Sequence, residues 1–576
     1  DLFSSYTVEE SVLEHNLYGV DINEDAVEIA KLSLWLRTAQ KGRCLTNLND
    51  KIICANSLLE MPFSENSFDI VIGNPPYVRV QGLKSNYEDE SKLYEQKFVS
   101  ATGKYDLYVL FMEQSFKMLN QKGKLSYILP HKFLISDFGS GIRGFLAENK
   151  AVESLLHFGS EMVFEDASTY TCIITLSHNN QKLNFKSISP RNIFNQFEYD
   201  FIIYDSLSSD KWNLSNNDIS KVLEKINQQP LKVKDIFKGV FQGIVSGDNK
   251  AFYLSNCYEK DNFIFGINEL IDEEVKIEKE LTKKILNGKT IKRYGIDYQN
   301  EYIIYTYGIF NEKTQIIDEE SLKLNYPYTY NFLSKIYDRL STRGSKNMNY
   351  PTWYSLWNFR NIYNQSSKKI LTPDVCFKST MWFDENSEFF YNDTSYALIL
   401  NDGIKEDYKF FLTILNSSLM WFYLLNTSAE LRGGYFRFKT KFIEPFSIPK
   451  LENLEEQKPF IQKADLMLEL NKKLQETKQN FYDELKLEKL TTKLQKFEEL
   501  EFDDFIKEYT KSKKIKFADK LEERNFKNEW KALFENDKKE VLEIQNQIKQ
   551  TDKEIDTMVY KLYDLTEDEI KIVESV

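Results

Sequence analysis

The sequence predicts an α/β protein: a doubly wound sheet first, an α+β region second, and a run of long helices last. Three observations carry this. Residues 16–185 alternate short apolar runs with helically spaced segments. Residues 230–450 mix short strands with many aromatics, Gly-containing turns and Asn. Beyond Gly434 there is no further glycine and beyond Pro459 no proline, in a stretch rich in Lys, Glu and Leu. The expected segments are 1–185, a polar connector at 186–229, then 230–455 and 456–576.

Residues 16–21 (NLYGVD) read as a short apolar strand ending in an acid, and residues 24–38 as a helix. On that helix Val27, Ala30, Leu34 and Trp35 share one face. Residues 51–54 (KIIC) and 68–73 (FDIVIG) are further strands, 105–119 a helix, and 124–129 (KLSYIL) and 171–176 (TCIITL) strands again. Continuous apolar strands separated by helices predict a parallel sheet covered on both faces. In the second region, residues 239–254 and 368–383 carry the strand and turn signals. Absence of Gly, and of Pro beyond Pro459, predicts long helices in the last region, with antiparallel hairpin pairing as one arrangement.

Composition bounds the function. A length of 576 residues predicts about three or four domains. Hydrophobic residues at 42% and charged residues at 28% exclude wholesale disorder. No stretch approaches the roughly 20 apolar residues of a membrane helix; the nearest, 410–425, is interrupted by Asn416, Ser417 and Ser418. Cys44, Cys54, Cys172, Cys257 and Cys376 have neither disulfide-framework nor metal-ligand spacing, and there are four histidines. A prokaryotic cytoplasmic location, with no membrane, no bound metal and no obligate protein partner, is the expectation. A net charge of −13 excludes a small basic DNA-coating protein but not an enzyme with one local basic cleft. Residue 1 is Asp, and the first ten residues lack signal-peptide character.

The sharpest chemical signal is Asn74-Pro75-Pro76-Tyr77, directly after the strand FDIVIG. The two prolines hold an extended turn and remove two N–H donors. That leaves the Asn74 side-chain oxygen and the Pro75 carbonyl as acceptors. Two acceptors converging on one exocyclic amine draw its lone pair out of conjugation, so an adenine N6 can attack a sulfonium methyl group without a metal. Tyr77 offers a flat face for a base, and an adenine inside a duplex would have to be flipped out to reach it. The bland alternative is a tight strand-end turn. Placement at the carboxyl end of a buried strand, where open α/β sheets bind ligands, favours chemistry.

With these residues in view the chain resembles the N6-adenine DNA methyltransferases, and among them the type IIG restriction–modification enzymes. Those fuse an endonuclease, a methyltransferase with a Rossmann-like fold and a target-recognition domain. The resemblance implies S-adenosyl-L-methionine as cofactor and double-stranded DNA as partner. Residues 18–36 are similar to the family's second motif, in which Asp21, beside Ile22, would accept hydrogen bonds from the cofactor ribose. Residues 54–59 (CANSLL) are similar to the third, with Asn56 and Ser57 at the cofactor adenine; the family commonly has Asp at the position of Asn56. Within residues 104–134, Phe111 would pack on that adenine, or else serve as a core aromatic. Residues 164–176 resemble the far wall of the target-base pocket, where Tyr170, or secondarily Phe164, would stack opposite Tyr77. The family's glycine-rich first motif should precede Tyr18, but the 17 residues there contain no Gly. The expectation is an N-terminally incomplete sequence, with an endonuclease upstream of residue 1 and Mg2+ needed only by it. Glu484-Leu485-Lys486 has the ending of a nuclease core but sits in a helical run, and is read as solvated helix.

Residues 139–144 form a formal GxGxxG, but they follow the catalytic motif and no first strand. They are expected to be a flexible loop before a helix. The middle region resembles target-recognition domains through 239–254, 288–294, 368–378, 412–424 and 431–449. Its candidate DNA contacts are Lys289, Lys292 and Arg293; Arg339 and Arg343; and Arg432, Arg437, Lys439 and Lys441. Each could equally be a solvated surface charge. Two other functions compete: methylation of a glutamine amide in a protein, which also uses NPPY, and DNA binding without catalysis.

Overall fold

A computed structural model describes residues 11–575 apart from residues 14, 39–46, 79–87, 160, 165–168, 213, 215–216, 345–349, 429, 432–433 and 488. The chain divides into two compact units, Asp1–Asn217 and Asp218–Val576.

The first unit begins with β1 (Gly19–Asp21), α1 (Glu24–Thr38) and β2 (Ile52–Cys54). β1 and β2 pair in parallel, Asp21 opposite Cys54. Val27 of α1 packs with Leu13, Leu48 and Ile52, and Ala30, Leu34 and Trp35 lie against them. Next come β3 (Phe68–Gly73), α2 (Glu88–Lys97), α3 (Leu107–Met118), β4 (Leu119–Pro130) and α4 (Ser140–Glu148). β5 (Val152–His157), β6 (Thr171–Leu176), β7 (Lys182–Ser187) and β8 (Asp200–Ile203) complete a six-stranded sheet, order β3-β4-β6-β5-β7-β8. Its core includes Tyr108, Val109 and Met112 of α3, Leu125 and Leu129 of β4, and Ile142 and Leu146 of α4.

Three expectations are corrected here. The sheet is mixed: β3–β4 and β5–β7 are parallel, but β6 runs antiparallel to both β4 and β5. A strand buried on both faces reads as an unbroken apolar run whichever way it points. β3 is the edge strand, and Ile70 and Ile72 are 73% and 81% exposed, so FDIVIG is covered on one face only. The segment 186–229 is no loose connector. β7 and β8 extend the first sheet, while Val222, Leu223 and Ile226 of α5 (Asn217–Asn227) enter the second unit's core.

The GxGxxG segment is packed, not a flexible loop. A Cβ on Gly139 would lie 2.0 Å from the Phe133 carbonyl oxygen, and one on Gly141 2.4 Å from that of Val99. Between these glycines and the next turn, buried Arg143 donates to the carbonyls of Phe133, Ser136, Ser209 and Asp210. The glycines serve close approach of backbone, not a cofactor.

The second unit holds a four-stranded antiparallel sheet in the order Phe237–Gln242, Ser395–Leu400, Lys369–Pro373, Trp382–Asp384. A six-stranded mixed sheet includes Tyr253–Lys260, Phe263–Asn268 and Thr282–Leu286. Its helices include α6 (Tyr408–Asn416), α7 (Ser418–Thr427), α8 (Lys458–Leu485), α9 (Phe502–Lys513), α10 (Lys520–Leu562) and α11 (Glu567–Glu574). α8 and α10 run antiparallel, crossed by the pairs Lys463–Glu554 and Lys473–Glu540. Their apolar residues join the sheet core: Phe460, Met467, Ile555 and Val559 cluster with Phe410, Met420 and Leu398. Among the described residues no single helix is long and apolar enough to cross a membrane; α6 and α7 together are, but they bend by 59° at Ser417 and are largely buried here.

Candidate active site and nucleic-acid interface

The register of the first sheet brings one set of strand ends together. Gly73 of β3 is opposite Tyr127 of β4, Pro130 opposite Thr171 of β6, and Cys172 opposite His157 of β5. Asn74 therefore leaves β3 beside β4, at the sheet end that also holds the close of β5 and the start of β6. Asn74 is exposed and Pro75 buried. Neither the Asn74 amide nor the Pro75 carbonyl has a hydrogen-bond partner among the described residues. The turn is anchored downstream, where the Leu107 N–H donates to the Val78 carbonyl at 2.8 Å.

Tyr77 is pinned. Its hydroxyl donates to the Ile128 carbonyl at 3.1 Å, and its ring meets Tyr108 edge-on with centroids 6.4 Å apart. Burial, reinforced by nearby Cys172, pushes the phenol up to about 12, so it stays a donor. Tyr170, half-buried, accepts the His131 N–H on its carbonyl at 3.2 Å, and the two rings lie 6.2 Å apart. His131 in turn stacks on His157 at 4.1 Å with an interplanar angle of 7°. Burial lowers His131 to about 3, helped by His157, and lowers His157 to about 4. The pair is thus a neutral, flat wall at neutral pH. His131 Nδ1 is buried without a hydrogen-bond partner among the described residues, while His157 Nδ1 accepts the Gly159 N–H. The sequence reading missed both histidines. The available signal was position: each is a polar ring at the carboxyl end of an apolar strand.

Asp21 and Asn56 follow the paired ends of β1 and β2. One Asp21 oxygen accepts the Asn23 N–H at 2.8 Å; the other has no partner among the described residues. Ile22 beside it is 72% exposed. An exposed carboxylate with a neighbouring apolar side chain fits a ribose diol and its base. Asn56 is engaged within its own unit. Its amide nitrogen donates to Tyr94 at 3.1 Å and its oxygen accepts the Leu58 N–H at 3.1 Å, so the side chain holds the turn and the buried Tyr94. Ser57 and Phe111 are half-buried, and Phe111 packs against the core of the unit.

The cations named in the second unit fare differently. Arg293 is corrected: it pairs with Asp552 and donates twice to the Asn416 carbonyl, at 3.2 and 2.8 Å. Asn416 also bonds both ways to the Met381 backbone, and Ser418 binds Asp556 of α10. The polar break seen in the sequence at 416–418 is the hub that ties α10 to the sheet. Arg343 is corrected too: its guanidinium donates to the carbonyls of Leu340, Trp353 and Ser355 and lies 4.4 Å over Tyr350. Arg339 grips Asp248 with two bonds, and Arg437 holds Asp374 at 2.5 Å. Lys289, Lys292 and Lys441 are exposed, and Lys439 is half-buried 4.0 Å from Asp374. Arg432 lies outside the described residues.

Comparison with known proteins agrees with this layout. The model of the Eco57I restriction-modification methylase family matches residues 15–164, that of the TaqI-like C-terminal specificity domain residues 283–448, and a domain of unknown function residues 453–559. The chain is 26% identical to the type II restriction enzyme and methyltransferase RM.Eco57I of Escherichia coli, over 75% of this chain and 47% of that protein. It is 24% identical to the type II methyltransferase M.HindII of Haemophilus influenzae, over 67% of this chain and 75% of that one. For M.BanIII of Aneurinibacillus aneurinilyticus the identity is also 24%, over 76% and 79%. The chain spans about half the length of the first of these relatives. Among solved structures, the type IIL restriction-modification enzyme MmeI in complex with DNA is similar in fold, with a TM-score of 0.56 and 12% identity, covering 97% of this chain and 65% of that one.

Proposed function

Because the chain joins an Eco57I-type restriction-modification methylase region to a TaqI-like specificity region, we propose that it is the methyltransferase and target-recognition part of a type IIG-like restriction–modification enzyme. It transfers a methyl group to N6 of a flipped adenine in double-stranded DNA. What supports this is that the Asn74 side chain and the Pro75 carbonyl, which follow the end of β3, have no hydrogen-bond partner among the described residues, with Tyr170 and the stacked histidines at the same end of the sheet.

S-adenosyl-L-methionine, when bound, supplies an electrophilic methyl group. Asp21 accepts hydrogen bonds from its ribose hydroxyls, and Ile22 and Phe111 flank its base; the Asn56 side chain is not assigned to it. The Asn74 amide oxygen and Pro75 carbonyl accept the two N6 protons of adenine. Holding both protons in that geometry would make the nitrogen lone pair available to form the new N–CH3 bond, the cofactor sulfur keeping the electron pair of the broken S–CH3 bond as a thioether, and the methylated N6 would then lose one proton to solvent. Tyr77, fixed through Ile128, stacks on the base, with Tyr170 on its other side. The exposed Lys289, Lys292 and Lys441 and half-buried Lys439 contact phosphates. Endonuclease activity, with its Mg2+, is assigned to polypeptide outside these residues, and the protein acts in the bacterial cytoplasm.

The test is to incubate the protein with plasmid DNA and methyl-labelled S-adenosyl-L-methionine and digest the DNA to nucleosides. Label in N6-methyladenine, lost in Asn74→Ala, is expected. Label in protein instead of DNA would overturn the substrate assignment. Cofactor binding without any transfer would leave a DNA-binding protein.

A further inference from the structure

A polar cleft of about 500 Å³ in the second unit is lined by none of the cations the sequence singled out. Gln242, Lys313, Asn358, Arg360, Asn361 and Asn364 line it. Arg360 stands in the left-handed region, at φ +60, which is unfavourable for a residue with a side chain. Two bonds hold it there. Its Nε donates to the Gly243 carbonyl at 2.9 Å and its Nη2 to Gln242 Oε1 at 3.0 Å. Gln242 is itself fixed, because its Nε2 donates to the Asp393 carbonyl at 3.0 Å. Gly243 permits the close approach: a Cβ there would lie 2.2 Å from the Asn392 carbonyl oxygen.

Both bonds use one side edge of the guanidinium, Nε with Nη2. The end fork, Nη1 with the second Nη2 proton, has no partner among the described residues. That fork matches O6 and N7 of guanine in the major groove. Arg293, Arg339 and Arg437 are each neutralised by a carboxylate. Arg360 makes its two hydrogen bonds to neutral oxygens, and among the described residues no carboxylate pairs with it directly, Asp393 acting on it only at longer range. Among the described residues Asn364 makes no side-chain hydrogen bond and Lys313 no ion pair. Glu312, the acid of the lining, pairs with neither Arg360 nor Lys313.

We propose that this cleft reads DNA sequence: Arg360 recognises a guanine through its end fork, Asn364 contacts an adjacent base, and Lys313 grips a phosphate. The proposal rests on the reading of the second unit as a DNA-recognition region. A backbone strained to aim a charged fork, in a cleft of Asn and Gln, is the inventory of direct base readout.

The test is selection of bound duplexes from a random double-stranded DNA library, followed by sequencing, for the wild-type chain, Arg360→Lys, Asn364→Ala and Lys313→Ala. The wild type is expected to enrich a motif containing a fixed G·C pair. Arg360→Lys keeps the charge but lacks the fork. It should lose discrimination at that pair alone by about 10- to 100-fold. Asn364→Ala should relax a neighbouring pair, and Lys313→Ala should weaken all sequences alike. An unchanged motif in the first two variants overturns the proposal, as does uniform weakening by Arg360→Lys. Should Arg360→Lys fail to fold, Asn364→Ala, which removes no hydrogen bond, decides by itself: an unchanged motif overturns the proposal. A wild-type chain that enriches no motif overturns the recognition reading beneath it, and needs no variant to be seen.

Discussion

The strand-end site of the first unit and the cations of the second unit invite opposite treatment. At Asn74 and Pro75 the polar atoms that the sequence points to have no hydrogen-bond partner among the described residues. In the second unit, Arg293, Arg339, Arg343 and Arg437 are bound to carboxylates or carbonyls of their own unit. The difference teaches that a motif tied to a strand end is defined locally, by a few residues and a turn. A cation's partner is chosen by the whole fold, and residue type says nothing about which partner that is.

The comparison breaks most decisively at Asn74. Asn74→Ala should lower methyl transfer by about 1,000-fold or more, since one of two preorganised acceptors is lost. DNA affinity should stay within about two-fold. Transfer assays with labelled cofactor, run beside gel-shift titrations, check both; retained transfer would place the chemistry elsewhere.

Arg293→Ala should act on stability, not on DNA. Removing the guanidinium leaves Asp552 and Asp556 in a largely buried site with only the more distant Lys378, 3.8 Å from Asp552, which costs about 3 kcal/mol. Urea unfolding of the variant reads this directly. Unchanged stability with weakened DNA binding would restore Arg293 as a DNA contact and narrow the contrast between the two regions.

The histidine wall sharpens the comparison through pH. Both imidazoles are held below their ordinary value of 6.5, His157 to about 4 and His131 to about 3. In the unfolded chain they bind protons from about pH 6.5 downward, while in the folded chain they stay neutral until the lower values. Stability from this pair is therefore full above about pH 6.5 and falls as pH drops toward 4. Phenylalanine at position 157, as His157→Phe, should flatten that slope in thermal melts between pH 7 and 4.5. An unchanged slope would show that the stack is open to water.

The smallest effect belongs to the exposed lysines. Lys289→Ala should weaken DNA binding a few-fold for all sequences and lower the slope of log K against log salt by about 1. Salt titrations of binding test it, and a sequence-dependent loss would move Lys289 from phosphate to base contact.

Much of the first unit was legible because its elements are short-range. Val27, Ala30, Leu34 and Trp35 recur at helical spacing and do share the buried face of α1. FDIVIG-NPPY announces a strand and the turn after it. Strand direction was not legible: TCIITL carries the same apolar run whether parallel or antiparallel, and only the register with His157 and Leu129 fixes it. Asn56 reads as a polar residue after a strand, yet its amide is engaged by Tyr94, 38 residues away. Gly139 and Gly141 read as a loop because glycine is permissive in turns; the close approach of Phe133 and Val99 that requires them is invisible without the fold.

By itself, then, the sequence determined what depends on neighbours along the chain: the alternation of strands and helices, the long glycine-free helices at the end, and the two acceptors that NPPY leaves bare. Tertiary structure alone decided what depends on neighbours in space. It turned Arg293 inward to Asp552, stacked His131 on His157, and left the end fork of Arg360 open. Hydrogen bonds and ion pairs are satisfied by whichever groups the packed core brings within about 3 Å, and that proximity is set by the fold as a whole, not by distance along the chain.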